Sequence, residues 1–189
     1  MAKRILVSFD WAVKKLLSKK ADFGILNGFF SELLRQDVTV VELLESESNR
    51  ETAYDKLNRA DLLCKNSKGE IMEVEIQFYK EYDYFHRCLY QTSKIITEYL
   101  AKNDKCAAVK KVYSVNILYF DLVYSEDYIY HGRTEFTSLH LGDELSLSSG
   151  QQQKLGKQLP SDIFPEYYSL KVNNFNEVAK STVDEWIIT

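Results

Sequence analysis

Hydrophobic and polar positions alternate most regularly between Glu70 and Phe78. In an extended chain Met72, Val74, Ile76 and Phe78 fall on one side, and Ile71, Glu73, Glu75 and Gln77 on the other. A Lys68-Gly69 turn signal precedes this run, and before the turn lies Ala60–Ser67, a mainly apolar segment opened by Asp61. Two strands joined by a tight turn are predicted. Val38–Leu44 is rich in β-branched residues and predicts an earlier strand. Lys111–Val123, with Val112, Val115, Ile117, Leu118 and Phe120, predicts a strand buried on both faces.

Between these runs the period changes. Phe23, Leu26, Phe30, Leu33 and Leu34 recur at three-and-four spacing and predict a helix over Asp22–Arg35, with Gly24 and Gly28 weakening its first half. Asp83–Lys102 predicts a long helix with Phe85, Leu89, Thr92, Ile96, Tyr99 and Leu100 along one stripe. Asp10 is placed to cap a helix through Trp11–Leu17, after a short lead-in, and Glu45–Lys56 has the polarity of an exposed loop.

Beyond the apolar strand, Tyr128–Tyr130, Thr134–Leu141 and Glu166–Val172 are expected to be extended, Leu145–Leu159 a Ser/Gln-rich loop and Phe175–Ile188 a closing helix. No repeat or linker divides the chain, so residues 1–189 are expected to form one domain. Its last residues are apolar where a polar cap is usual, which fits a C-terminally shortened chain. The order helix, strand, strand, strand, helix, strand predicts an α/β class with a mixed sheet covered by helices.

Composition narrows this picture little. Apolar and aromatic residues make up 45% of the chain, which excludes a disordered polymer. The formal net charge of −4 lacks the basic bias that usually accompanies nucleic-acid binding. A divalent cation in a carboxylate-lined site supplies positive charge locally, so nucleic acid stays open as a partner. The three cysteines, Cys64, Cys88 and Cys106, include no C-x-x-C pair and follow no secretory signal. Free thiols in a reducing compartment are expected, and no apolar run reaches membrane-crossing length. These features lead us to expect a soluble cytoplasmic protein.

The candidate chemistry lies on the predicted hairpin. If its strands are antiparallel neighbours, side chains opposite each other on one face stand about 5 Å apart. Asp61 and Glu75 would then be within reach of one hard cation, with the Ile76 backbone carbonyl as a third oxygen donor. Gln77, one pleat beyond Glu75, could orient water or phosphate but could not act as a base. The same Glu-x-Glu-x-Gln alternation also describes the wet face of an ordinary strand. Two features favour a site: an acid opens an otherwise apolar strand, and the following helix is placed to cover the acidic face, where carboxylates need partners or a metal.

Several motifs together resemble one family. They are Asn58-Arg59-Ala60-Asp61-Leu62-Leu63, the Lys68-Gly69-Glu70 turn, Val74-Glu75-Ile76-Gln77, and Phe85-His86-Arg87-Cys88-Leu89-Tyr90. In order and spacing they resemble the PD-(D/E)XK nuclease superfamily, and within it the branch of recombination-promoting nucleases and transposase-like proteins, where E-x-Q replaces E-x-K. Phe9-Asp10-Trp11-Ala12-Val13-Lys14 is similar to that branch's opening Asp-x-x-Phe-Lys, with Val13 where Phe is usual.

The resemblance implies a restriction-endonuclease-like core and a magnesium-dependent (or manganese-dependent) endonuclease acting on DNA. It implies Asp61 and Glu75 as metal ligands and Gln77 in the Lys position. Asp10 and Lys14 match the opening motif without an assigned role. Accessory candidates are Glu73 beside Glu75, and Arg87 with Gln91, four apart on the predicted helix, which would suit a phosphate. Double-strand cleavage would call for a homodimer. The alternative is a catalytically inactive module of the same fold that binds nucleic acid or a protein.

Overall fold

A computed structural model describes residues 23–44, 61–100, 105–121 and 126–172. The Asp10-capped helix, the Glu45–Lys56 loop and the Phe175–Ile188 helix fall wholly or almost wholly outside them, as do Asp10 and Lys14. The described chain runs α1 (Gly24–Leu34), β1 (Val40–Leu43), β2 (Leu62–Asn66), β3 (Ile71–Gln77), α2 (Tyr84–Glu98), β4 (Val112–Leu118), β5 (Ile129–Arg133), α3 (Ser149–Leu155) and β6 (Glu166–Lys171). The six strands form one mixed sheet in the order β1-β2-β3-β4-β6-β5. β1, β2 and β3 are antiparallel neighbours, β3, β4 and β6 run parallel, and β5 closes the edge antiparallel to β6. The expected α/β class and restriction-endonuclease-like core are thus present.

The hairpin that opens the site is fixed by its turn. Gly69 adopts φ 78°, a left-handed conformation that glycine takes without penalty. Asn66 Oδ1 accepts from the N–H groups of Lys68 (3.0 Å) and Glu70 (2.8 Å), which pins the register of β2 against β3.

One face of the sheet is apolar at its centre. Leu26, Phe30 and Leu33 of α1 pack on Leu62, Cys64, Met72, Val74, Ile76, Val115 and Ile117. Two side chains of α1 also tie down β1 and the residues leading into it, Ser31 Oγ accepting from Val38 N–H (2.9 Å) and Asn27 Oδ1 from Val40 N–H (2.8 Å).

The other face is built differently. Two small apolar clusters, Leu63–Ile71–Ile95–Val112 and Tyr84–Cys88–Leu118–Phe120, flank a buried polar layer. That layer comprises Glu73, Glu75 and Gln77 of β3, Ser114 and Asn116 of β4, Ser169 of β6, and Gln91 and Thr92 of α2. β3 and β4 are buried on both faces, as expected for β4 but not for the Glu-x-Glu-x-Gln side of β3 taken as a wet face.

Three local expectations are corrected. α2 does not present Phe85 and Leu89 to the sheet: they are 69% and 59% exposed, and the inward stripe is Tyr84, Cys88, Gln91, Thr92 and Ile95. The helix is turned by one residue, about 100°, because the sheet beneath it is polar at its centre and takes Gln91 and Thr92 as partners. Leu145–Leu159 is not all loop but holds α3, started by a Ser148–Gln151 capping box and ended by Gly156 at φ 65°. Thr134–Leu141 forms no strand beyond an isolated Thr137–Glu144 bridge. The strand ahead of it reaches Arg133, because β6 offers paired register as far as Glu166.

Candidate functional site

The end of β3 and the start of β2 bring the two predicted carboxylates together. The β2–β3 ladder pairs Leu62 with Val74, so one further step places Asp61 opposite Glu75 on the same face. Asp61 lies at the exposed mouth, and its Oδ2 accepts from the backbone N–H of Ile76 at 2.8 Å. In a strand, the N–H and C=O of one residue point to the same neighbour. The Gln77 carbonyl accepts from Tyr119 N–H on the β4 side (2.9 Å), so the Ile76 carbonyl points the other way, toward the Asp61 edge.

Glu75 is 5% exposed and both of its oxygens are engaged from α2. Arg87 Nη2 donates to Oε1 at 2.5 Å, and Gln91 Nε2 donates to Oε2 at 2.6 Å. Arg87 and Gln91 are one helical turn apart, so both reach the same carboxylate. The other guanidinium nitrogen of Arg87, Nη1, donates to Glu81 at 2.7 Å, on the solvent side. Gln77 completes the group. With its amide oxygen facing α2 it accepts from Arg87 Nε (3.2 Å), and this orientation leaves neither end opposed by a like group.

Burial raises the Glu75 pKa, and the charge of Asp61 adds to the rise; Arg87 and the Gln91 hydrogen bond oppose it without overcoming it. Glu73, two residues back on the same face, is 1% exposed, and its pKa is pushed up to about 7 by burial and then by the Glu75 charge. A hydrogen bond from Ser114 and the charge of Arg87 pull the other way. Glu73 Oε2 and Gln91 Oε1 are buried acceptors with no hydrogen-bond donor among the described residues. Such atoms favour a nearby cation or proton donor.

This donor set fits a hard divalent cation: two carboxylates and a backbone carbonyl, all oxygen, at one edge of the sheet. Among the described residues no three His, Cys, Asp or Glu side chains converge on a metal position, so Glu73 does not complete a three-carboxylate cluster. An ion held here would rest on Asp61, Glu75, the Ile76 carbonyl and water.

Sequence reasoning missed Glu81, which lies in the turn before α2 and gives Arg87 its second carboxylate. It also missed the polar layer behind Glu75, where Cys88 Sγ meets Asn116 Oδ1 (3.4 Å), Asn116 meets Ser114 (3.0 Å) and Tyr84 meets Ser169 (3.1 Å). A signal was present: Ser114 and Asn116 alternate within an otherwise apolar strand. His131 belongs to another cluster, bonded to Glu166 (2.8 Å) beside buried Lys111 at the far end of β6.

No helix of the described residues is long and apolar enough to cross a membrane. Comparison with curated proteins and with solved structures returns no match. The family model for PD-(D/E)XK nuclease family transposases matches residues 7–148, which include β2, β3, α2 and β4 and therefore every candidate residue named above. With that match over most of its length, and the mixed sheet such a match requires, the chain belongs to the PD-(D/E)XK nuclease family of transposases.

Proposed function

We propose that this chain is a metal-dependent DNA endonuclease that hydrolyses phosphodiester bonds, with Asp61, Glu75 and Gln77 as its central residues. The observation that carries this reading is the pairing of two carboxylates at one strand end. Asp61 is clipped to the Ile76 amide, opposite Glu75, at the exposed edge of an otherwise buried layer. Family membership supports the nuclease class and, more generally, divalent metal use.

A magnesium or manganese ion held by Asp61, Glu75 and the Ile76 carbonyl would supply positive charge to a phosphoryl oxygen and make water more acidic. The protein's own groups account for the rest. The β2–β3 register holds the two carboxylates in place. Gln77 offers an amide that orients and cannot take a proton. Arg87 donates from α2 to Glu75 and to Glu81, so its positive charge is placed against the carboxylates of the site. The apolar clusters on either side of the layer keep water out from behind Glu75. Double-strand cleavage would pair two copies of the chain.

The test is incubation of purified protein with supercoiled plasmid and magnesium or manganese, with and without chelator. Nicking that requires the ion and disappears with Asp61→Asn or Glu75→Gln is expected. Nicking that persists in both variants would remove these residues from the reaction.

A second reading, a non-cleaving module that binds nucleic acid or protein, draws on one observation: both Glu75 oxygens already accept hydrogen bonds from α2. Calorimetry decides between them. Absence of metal binding, with DNA binding retained in Asp61→Asn, would favour the module.

A further inference from the structure

The guanidinium of Arg87 and a cation at Asp61 and Glu75 make the same demand on one carboxylate. Arg87 Nη2 lies 2.5 Å from Glu75 Oε1 and, among the described residues, is the full positive charge paired with that side chain. A divalent ion ligated by Glu75 would stand within a few ångströms of this guanidinium. Two cations at that separation repel, and the layer around them is buried, so water screens little of the repulsion.

Arg87 has somewhere else to go. Its Nη1 is already on Glu81, whose side chain is 42% exposed, while Arg87 itself is 17% exposed. Glu81 sits in the turn preceding α2, outside the buried layer. Rotation about the side-chain torsions of Arg87 would bring the whole fork onto Glu81 with no backbone movement, and a bidentate guanidinium–carboxylate pair is a favourable end state. Gln91, the other donor to Glu75, is neutral and has no reason to leave.

We propose that Arg87 is a resident counter-cation of Glu75 which yields that carboxylate to the divalent ion and transfers its hydrogen bonds to Glu81. This rests on the metal-site reading of Asp61 and Glu75 and adds a regulatory part to it. Arg87 sets the metal concentration at which the site fills, and Glu81 is the residue that makes the exchange easy. A purely supporting Arg87, one that only holds Glu75 in its rotamer, has the opposite consequence for metal affinity.

The experiment is calorimetric titration of the full chain with manganese or magnesium chloride at about pH 8.5, well above the carboxylate range. Wild type, Arg87→Met, Glu81→Gln and the double variant are compared. Arg87→Met is expected to bind the ion at least about tenfold more tightly than wild type, because a competing charge is gone. Glu81→Gln is expected to bind about threefold more weakly. Glu81 acts through Arg87, so its effect should vanish in the Arg87→Met background.

Equal or weaker binding by Arg87→Met would overturn the exchange while leaving the metal site standing. An undiminished Glu81→Gln effect in the double variant would also overturn it, showing a general field effect instead. No heat from any of the four proteins would remove the metal site and the exchange together. Should Arg87→Met fail to fold, Glu81→Gln, a change on an exposed side chain, decides alone: binding equal to or tighter than wild type overturns the proposal.

Discussion

The backbone N–H of Ile76 donates to Asp61 Oδ2 at 2.8 Å, so a side chain at the start of one strand is bonded to the amide just after Glu75 on the next. This bond takes the place of a ladder hydrogen bond at the end of the hairpin and fixes one carboxylate relative to the other. Asparagine keeps an oxygen acceptor for the Ile76 amide and alanine does not. Asp61→Asn should therefore leave the unfolding free energy within about 0.5 kcal/mol of wild type, whereas Asp61→Ala should lose about 1 kcal/mol. Both should lower metal-dependent nicking by about a hundredfold or more. Urea denaturation alongside a plasmid assay separates the two effects; a large loss of stability in Asp61→Asn would contradict the assigned bond.

Glu73 makes stability fall as pH rises. Its pKa in the fold is about 7, above the ordinary carboxylate value, so between about pH 4.5 and 7 the folded chain holds a proton that the unfolded chain has released. The stabilising contribution is fully present below the unfolded value and is lost as pH rises through about 7. Glu73→Gln removes the charge and keeps an acceptor for Ser114. At about pH 8 it should stabilise the protein by roughly 3–4 kcal/mol, at about 1.4 kcal/mol per pH unit, and flatten this part of the profile. Thermal melts between about pH 5 and 8 provide the check. An unchanged slope in the variant would show that another group is responsible.

The acid limb has the opposite sign and another source. Burial alone would raise the Glu166 pKa, but the Lys111 hydrogen bond and charge outweigh it, followed by His131 and Tyr168, and the group ends below its usual range. Its stabilisation is present above the unfolded carboxylate value and lost as pH falls through the lower folded one. Lys111 is 7% exposed and also donates to the Ser161 carbonyl at 3.0 Å. Lys111→Met leaves Glu166 with His131 and Tyr168 only, and should destabilise the chain by about 3 kcal/mol at neutral pH. Metal binding should not change, since this cluster lies at the opposite end of β4 and β6 from Glu75. A loss of metal affinity would show that the two ends of the sheet are coupled.

α3 offers a local test. Ser148 Oγ accepts from Gln151 N–H, and Gln151 Oε1 accepts from Ser148 N–H at 3.0 Å. Ser148→Ala should cost about 1 kcal/mol and speed amide exchange in residues 149–155 while leaving the site unaffected. Faster exchange spread across β3 and α2 would mean that α3 supports the core.

Much of the fold was legible in the chain because period is a local property. The alternation of Glu70–Phe78 and the Lys68-Gly69 turn specified a hairpin, and the apolar run of Lys111–Val123 specified a buried strand. The Asp61, Glu75 and Gln77 motif and its resemblance to a nuclease family could be read the same way, since spacing along a strand dictates which side chains share a face.

Tertiary structure alone decided which side of α2 faces the sheet, and with it the neighbours of Glu75. Periodicity pointed to Phe85 and Leu89 as inward residues, because exposed aromatic and aliphatic side chains look the same in sequence as buried ones. The sheet presents carboxylates and amides at its centre, and buried polar groups need partners more than apolar residues need cover. Arg87 and Gln91 therefore turn inward to Glu75. Glu81, distant in pattern but adjacent in space, became visible only once Arg87 had a position.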